Sequence, residues 1–269
     1  TRRRVPLGHR GDFSLMELYG LILAALLIYN NSLVLLGPTA WGAGIGARKA
    51  FVIAAAAQLL GVLTSTMAQL PISLPEFLYI GALYLLLSLV KISLPISVIG
   101  YSIHAPRPEA VALWLLSPLV SVATVALCKT LKRGRPLAAL SLFLVMYLFG
   151  FNNVALFTRD AALAAAAVVA GTYFGLGFSR WVIDIAALRP KTAAAVNLTV
   201  ALGALAGILL SVPISFTLVA YSSILAASYS QGMRIIRVEK FAKAYLATLL
   251  ALAAALIFPY LKSLLAPRA

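Results

Sequence analysis

The stretch LLIYNNSLVLLGP at residues 26–38 decides the fold. It places two adjacent amides, Asn30 and Asn31, inside an apolar run, and the pattern returns as YLFGFNNVALFTR at residues 147–159, with Asn152 and Asn153. In a bilayer, a carboxamide must find a hydrogen-bond partner or face a polar cavity. Two such pairs at matching places in the two halves of the chain therefore predict one central site that is built twice.

The composition is that of a membrane protein. Of the 269 residues, 62% are hydrophobic and 11% are charged, and the mean hydropathy is +1.00. A soluble domain of this size cannot bury that much apolar surface, so the sequence predicts an all-α polytopic membrane protein embedded in a lipid bilayer. The net charge of +15 does not indicate nucleic-acid binding, because the cations cluster between apolar runs, where they orient spans. Cys128 is the one cysteine, which excludes an intrachain disulfide and a cysteine-rich metal site.

Apolar runs predict membrane spans along the chain. The first is expected to end at Gly37 and Pro38. Two later runs contain Pro95 and Pro213, and proline removes a backbone donor and clashes with the preceding turn, so these two helices are expected to be broken or re-entrant. The predicted apolar segments are 14–36, 50–70, 77–104, 108–128, 137–157, 161–183, 193–230 and 244–261.

The two halves of the chain repeat their motifs in the same order. The asparagine pairs lie 122 positions apart (30 to 152), and the prolines lie 118 positions apart (95 to 213). Duplicated spans with helices broken at corresponding places are typical of secondary transporters. A basic loop at 129–136 falls between them, so we predict a first membrane repeat at 1–128 and a second at 137–269.

The same segments resemble the inorganic phosphate transporter (PiT) family. The asparagine runs look like its paired G-A-N-D-x-A-N segments, and PISVIG at 95–100 and PISFTL at 213–218 look like its P-V-S-T-T-H segments. GFSRWVID at 177–184 resembles its G-x-x-V-I-E element, with Asp184 at the acidic position. The resemblance covers roughly residues 15 to 250, in the right order.

The resemblance implies a multi-pass plasma-membrane permease for an inorganic oxyanion, with two inverted repeats and alternating access. Phosphate is the first expectation and sulfate the alternative; the resemblance also suggests a homodimer. The basic N-terminal arm and the basic loop at 129–136 would both favour the cytoplasm, and this conflicts with inverted repeats. The number of crossings therefore stays open. The residues expected to bind the anion are Asn30, Asn31, Ser32, Ser97, Asn152, Asn153, Ser215 and Thr217, with Lys91 as a countercharge.

This sequence departs from the family pattern where coupling is concerned. Asn31 and Asn153 stand where the family has aspartate, and the P-V-S-T-T-H histidines are missing. A sodium site usually uses charged, hard oxygen ligands, which a neutral carboxamide supplies poorly. We therefore expect altered coupling, with protons or sodium as the open candidates and no other cofactor or metal. A regulatory or structural subunit that has lost transport is the alternative.

Each candidate residue also has a purely structural interpretation. Paired asparagines can join helices by hydrogen bonds, and Ser97 and Ser215 can bond to carbonyls of their own helices. Lys91 could extend its amine to the membrane surface. Asp184 lies one helical turn from Arg180, which favours a local ion pair.

Membrane enzymes fit the sequence poorly. Embedded prenyltransferases need aspartate-rich pairs, which do not occur here, and intramembrane proteases need a serine–histidine pair, two aspartates or a metal site. The two histidines are His9 in the N-terminal arm and His104 at the edge of a span. We therefore expect a protein that is not an enzyme.

Overall fold

The computed structural model describes residues 15–89, 94–105, 107–232 and 237–265. Within these ranges the chain is helical, which confirms the predicted all-α fold. The α-helices of the described ranges are α1 Leu15–Leu35, α2 Ala47–Thr64, α3 Leu74–Leu89, α4 Ile96–His104, α5 Pro108–Leu116, α6 Val122–Thr130, α7 Arg135–Asn152, α8 Ala161–Ser179, α9 Pro190–Leu209, α10 Phe216–Ser230 and α11 Val238–Leu265.

Seven segments of the described chain are long and apolar enough to cross a membrane. A 3-10 turn at Ser117–Ser121, which contains Pro118, joins α5 and α6 into one of them. By contrast, α4 has nine residues and is about 14 Å long, which is too short to cross the apolar layer of a bilayer. The protein is an integral multi-pass membrane protein that also contains shorter helices.

Both predicted proline breaks are present. Pro95 is the N-cap of α4, and Pro213 lies in the non-helical segment between α9 and α10. At the end of α9, Ser211 adopts a left-handed φ of 55°. Val212 N donates to Gly207 O over 2.9 Å and Ser211 N donates to Ile208 O over 3.0 Å, which is the Schellman pattern of a helix end.

The expected end of the first span at Gly37 and Pro38 is wrong. The chain continues from α1 into a π-helical turn at Pro38–Gly42, which lengthens the apolar segment to 28 residues. Pro38 occupies the first position of that turn. A proline is tolerated at the first position of a helix because the missing N–H would lack a partner there anyway.

The first two helices of one half pack against the first two helices of the other half. The extensive contacts of α1 are with α8, and those of α2 are with α7. Glycines allow the close approach, since a Cβ built at Gly171 would lie 2.7 Å from Ile28 Cβ, and one at Gly150 would collide with Gln58 O. Small residues at helix crossings are typical of membrane proteins. Of the two short helices, α4 packs mainly against α11 and α10 packs mainly against α9, and the first turns of both are buried.

Candidate functional site

The first asparagine of each pair holds the broken backbone of its own half. Asn30 Nδ2 donates to Leu94 O over 3.0 Å, directly before Pro95. Asn152 Nδ2 donates to Val212 O over 3.0 Å, and Asn152 Oδ1 accepts from Ile214 N over 3.0 Å. Backbone groups at a break lack helical partners, and these carboxamides replace them.

The second asparagine of each pair bonds across to the other half. The Thr217 hydroxyl donates to Asn31 Oδ1 over 2.8 Å. Asn153 Nδ2 donates to Ser97 Oγ over 2.6 Å, and also to Ile214 O over 3.0 Å. The first turns of α4 and α10 are therefore each tied to an asparagine of the opposite half. The residues that meet here form what we call the asparagine junction: Asn30, Asn31, Ser97, Asn152, Asn153, Ser215 and Thr217.

The asparagine junction is enclosed and contains unpaired polar atoms. Its side chains are at most 7% exposed. Asn153 Oδ1 and Ser215 Oγ, both described, have no hydrogen-bond partner. An unsatisfied buried polar group costs about 1–3 kcal/mol, so these two atoms can gain from a further polar contact.

Ser32, which was also predicted to bind the anion, does not join the junction. The Ser32 hydroxyl donates to Ile28 O over 2.7 Å, one turn earlier in α1. Its side chain lies at the crossing of α1 with α8, against Gly175. Lys91 lies outside the described residues, so its prediction stays a prediction.

A cavity of about 650 Å³ reaches Asn30. It lies between α1, α3, α8, α10 and α11. Its walls carry three cationic side chains and one carboxylate, Asp184. The lining residues are Tyr29, Asn30, Leu33, Tyr84, Gly177, Phe178, Trp181, Asp184, Ile185, Tyr221, Arg237, Lys240, Lys243 and Ala244.

Comparison with known proteins identifies the fold. No protein-family model and no curated protein sequence matches this chain. Among solved structures, one described as "The sodium-dependent phosphate transporter" matches with a TM-score of 0.52, over 94% of this chain and 100% of that one. The two chains share a fold. Their sequence identity is 12%, so the likeness concerns architecture.

The expected ion pair between Arg180 and Asp184 is wrong. The structure describes both residues and shows no salt bridge between them. The Arg180 guanidinium lies 5.9 Å from the centre of the Trp41 ring, which is a cation–π distance. Asp184 instead lines the cavity.

Sequence analysis missed two features of the described chain. The cavity was missed because nothing in the local sequence places the start of α11 beside α1; the spacing of Arg237, Lys240 and Lys243 was the available signal. The second is a buried contact in which Glu76 Oε2 lies 3.6 Å from His104 Nε2. Among the described residues, no group of three or more His, Cys, Asp or Glu side chains could hold a metal ion.

Proposed function

We propose that this protein is a divergent PiT-like permease for an inorganic oxyanion, phosphate first, and that the anion binds at the asparagine junction. The observation that carries the proposal is the reciprocal pair of hydrogen bonds, Asn31 to Thr217 and Asn153 to Ser97. They bring both duplicated motifs to one place in a fold shared with a phosphate transporter.

The chemistry of the junction suits an anion. The Ser97 hydroxyl oxygen accepts from Asn153, which leaves its hydrogen free to donate. The Ser215 hydroxyl is unpaired and can donate as well. The helices α4 and α10 begin here, and helix N-termini present amides and a partial positive charge to an anion.

The junction also offers an acceptor. Asn153 Oδ1 is buried and unpaired, and an oxygen acceptor can receive the hydroxyl hydrogen of a protonated oxyanion. Since the junction residues include no carboxylate, no fixed negative charge opposes the anion. The same fact supports altered coupling, in which sodium is dispensable and protons or no ion accompany the substrate.

The reciprocal packing supports an inverted repeat with alternating access. If α1 and α2 form one unit with α7 and α8, the cross-half hydrogen bonds can break on one side while they persist on the other. A site between two related halves is the usual design of such transporters. Phosphate and sulfate are both tetrahedral anions. We place phosphate first because the fold resembles that of a phosphate transporter.

Uptake by proteoliposomes tests the proposal. Purified protein is reconstituted, and uptake of radiolabelled phosphate is measured with sulfate as competitor, with and without a sodium gradient. We expect sodium-independent phosphate uptake that Asn153→Ala abolishes. Asn197→Ala is the matched control, because Asn197 is equally buried but bonds Thr39 and Ser141 outside the junction. Strict dependence on sodium would refute the altered coupling.

The replacement of both family aspartates favours one further candidate, a subunit that binds the anion without moving it. It predicts saturable phosphate binding to the purified protein together with uptake no faster than in empty liposomes. Uptake that saturates with phosphate excludes this candidate.

A further inference from the structure

The start of α11 carries a stripe of cations. Arg237, Lys240 and Lys243 recur every third residue, and residues at this spacing are neighbours on a helix surface. All three line the cavity that reaches Asn30. Arg237 and Lys243 are exposed and Lys240 is half-buried.

The charge balance of this cavity favours an anion. Its described lining holds three cations against one carboxylate, Asp184. A cleft lined by one sign of charge, with low-dielectric walls, concentrates counter-ions and raises their association rate by about 10- to 1,000-fold. The N-terminus of α11 adds the partial positive charge of its helix dipole at the same end.

The rest of the lining supplies hydrogen-bond donors on an apolar wall. Tyr84 and Tyr221 present phenolic hydroxyls, which can donate to phosphate oxygens. Tyr29 and Phe178 stack with ring centres 5.1 Å apart and form another wall. This combination of aromatic walls with a few polar groups is typical of a ligand site.

The position of the cavity connects it to the asparagine junction. Asn30 is the one junction residue that lines it, and the Asn30 carboxamide bonds to Leu94 O at the first break. We propose that this cavity is a second, outer site for a phosphate-bearing anion, which it collects beside the junction. Only the step in which the anion passes from the cavity to the junction rests on the proposed function. Binding of the anion in the cavity does not depend on transport.

A direct binding measurement tests the outer site. Equilibrium binding of radiolabelled inorganic phosphate is measured on the full chain in nanodiscs of zwitterionic lipid, over a range of salt concentrations. The test variant combines Arg237→Gln, Lys240→Gln and Lys243→Gln. The matched control combines Lys129→Gln, Lys132→Gln and Arg133→Gln, which remove the same charge from exposed positions of the basic loop. We expect the test variant to lose about tenfold in affinity and most of its salt dependence, and the control to bind like wild type.

A second arm identifies the source of the anion. Native mass spectrometry compares retained anionic phospholipid in wild type and both variants, prepared from membranes that contain phosphatidylglycerol. If only the test variant loses lipid and its binding of inorganic phosphate is unchanged, the site belongs to a lipid headgroup. If the test variant binds inorganic phosphate more weakly and retains as much lipid as wild type, the site belongs to free phosphate. Equal phosphate affinity, salt dependence and lipid retention in both variants overturn the proposal.

Uptake measurements separate this proposal from the permease hypothesis. Wild-type protein that shows charge-dependent phosphate binding but no uptake refutes the permease and keeps the outer site. Phosphate uptake with the same apparent KM in wild type and test variant, together with the same retained lipid, refutes the outer site and keeps the permease.

Discussion

Thr217 donates a hydrogen bond to Asn31 over 2.8 Å, although the two residues lie 186 positions apart. The bond from Asn153 to Ser97 is its counterpart, with the asparagine in the second half and the hydroxyl in the first. Each bond joins an asparagine of one half to the first turn of the short helix of the other half. A motion that moves α10 away from α1, or α4 away from the end of α7, must break one of these bonds.

Placing carboxylates in the junction should create sodium dependence. The double variant Asn31→Asp and Asn153→Asp adds the hard, charged oxygens that a sodium site usually uses. At position 153 an aspartate cannot donate to Ile214 O as Asn153 does, so this backbone oxygen also becomes available to a cation. We expect phosphate uptake by the double variant to rise about tenfold on exchange of potassium for sodium, a change of about 1.4 kcal/mol.

The melting temperature of the same double variant gives a second measurement. A cation that binds only the folded state raises the melting temperature, so sodium should stabilise the double variant and leave wild type unchanged. If the double variant melts at the same temperature in sodium and in potassium, and its phosphate uptake does not depend on sodium, positions 31 and 153 are not involved in ion coupling.

The sequence predicted the helix breaks, but it did not predict that the first asparagine of each pair bonds within its own half and the second bonds across to the other half. Pro95 and Pro213 act on the turn next to them, so their effect can be read from a few residues. Leu94, the partner of Asn30, and Thr217, the distant partner of Asn31, lie 64 and 186 positions away, and hydropathy gives no information on such distances. Pro38 shows that the presence of a proline does not by itself predict a break, because a proline at the first position of a turn leaves the segment helical. Arg237, Lys240 and Lys243 are visible in the sequence as basic residues between two apolar runs, but their cavity depends on the packing of five helices.

Removing the Asn152 carboxamide should destabilise the fold. Asn152→Ala leaves Val212 O and Ile214 N without their present partners. Since both groups are buried, we expect a loss of about 2–4 kcal/mol in unfolding free energy. Thermal or denaturant unfolding in detergent measures this. Gln231→Ala, at an exposed position after α10, serves as the control and should change stability by less than about 0.5 kcal/mol.

The crossing of α2 and α7 should not tolerate a methyl group. A Cβ at Gly150 would collide with Gln58 O, so Gly150→Ala must push the helices apart, and we expect a cost of about 1–3 kcal/mol. Gly81→Ala is the matched control within α3, where a Cβ meets nothing within 4 Å. It should stabilise the protein by up to about 1 kcal/mol, because alanine is the better helix former. Equal melting temperatures for the two variants would contradict the close crossing.

The end of α9 should become more stable when Ser211 is replaced by glycine. Ser211 has a φ of 55°, and a left-handed conformation costs a residue with a side chain about 1 kcal/mol relative to glycine. Both hydrogen bonds of this helix end are made by backbone atoms, so Ser211→Gly keeps them. We expect a gain of about 0.5–1 kcal/mol in unfolding free energy, measured by thermal unfolding. Ser121→Gly is the control, because Ser121 has an ordinary helical φ of −61°. There glycine should lower stability, and a loss at both positions would show that the left-handed serine is not strained.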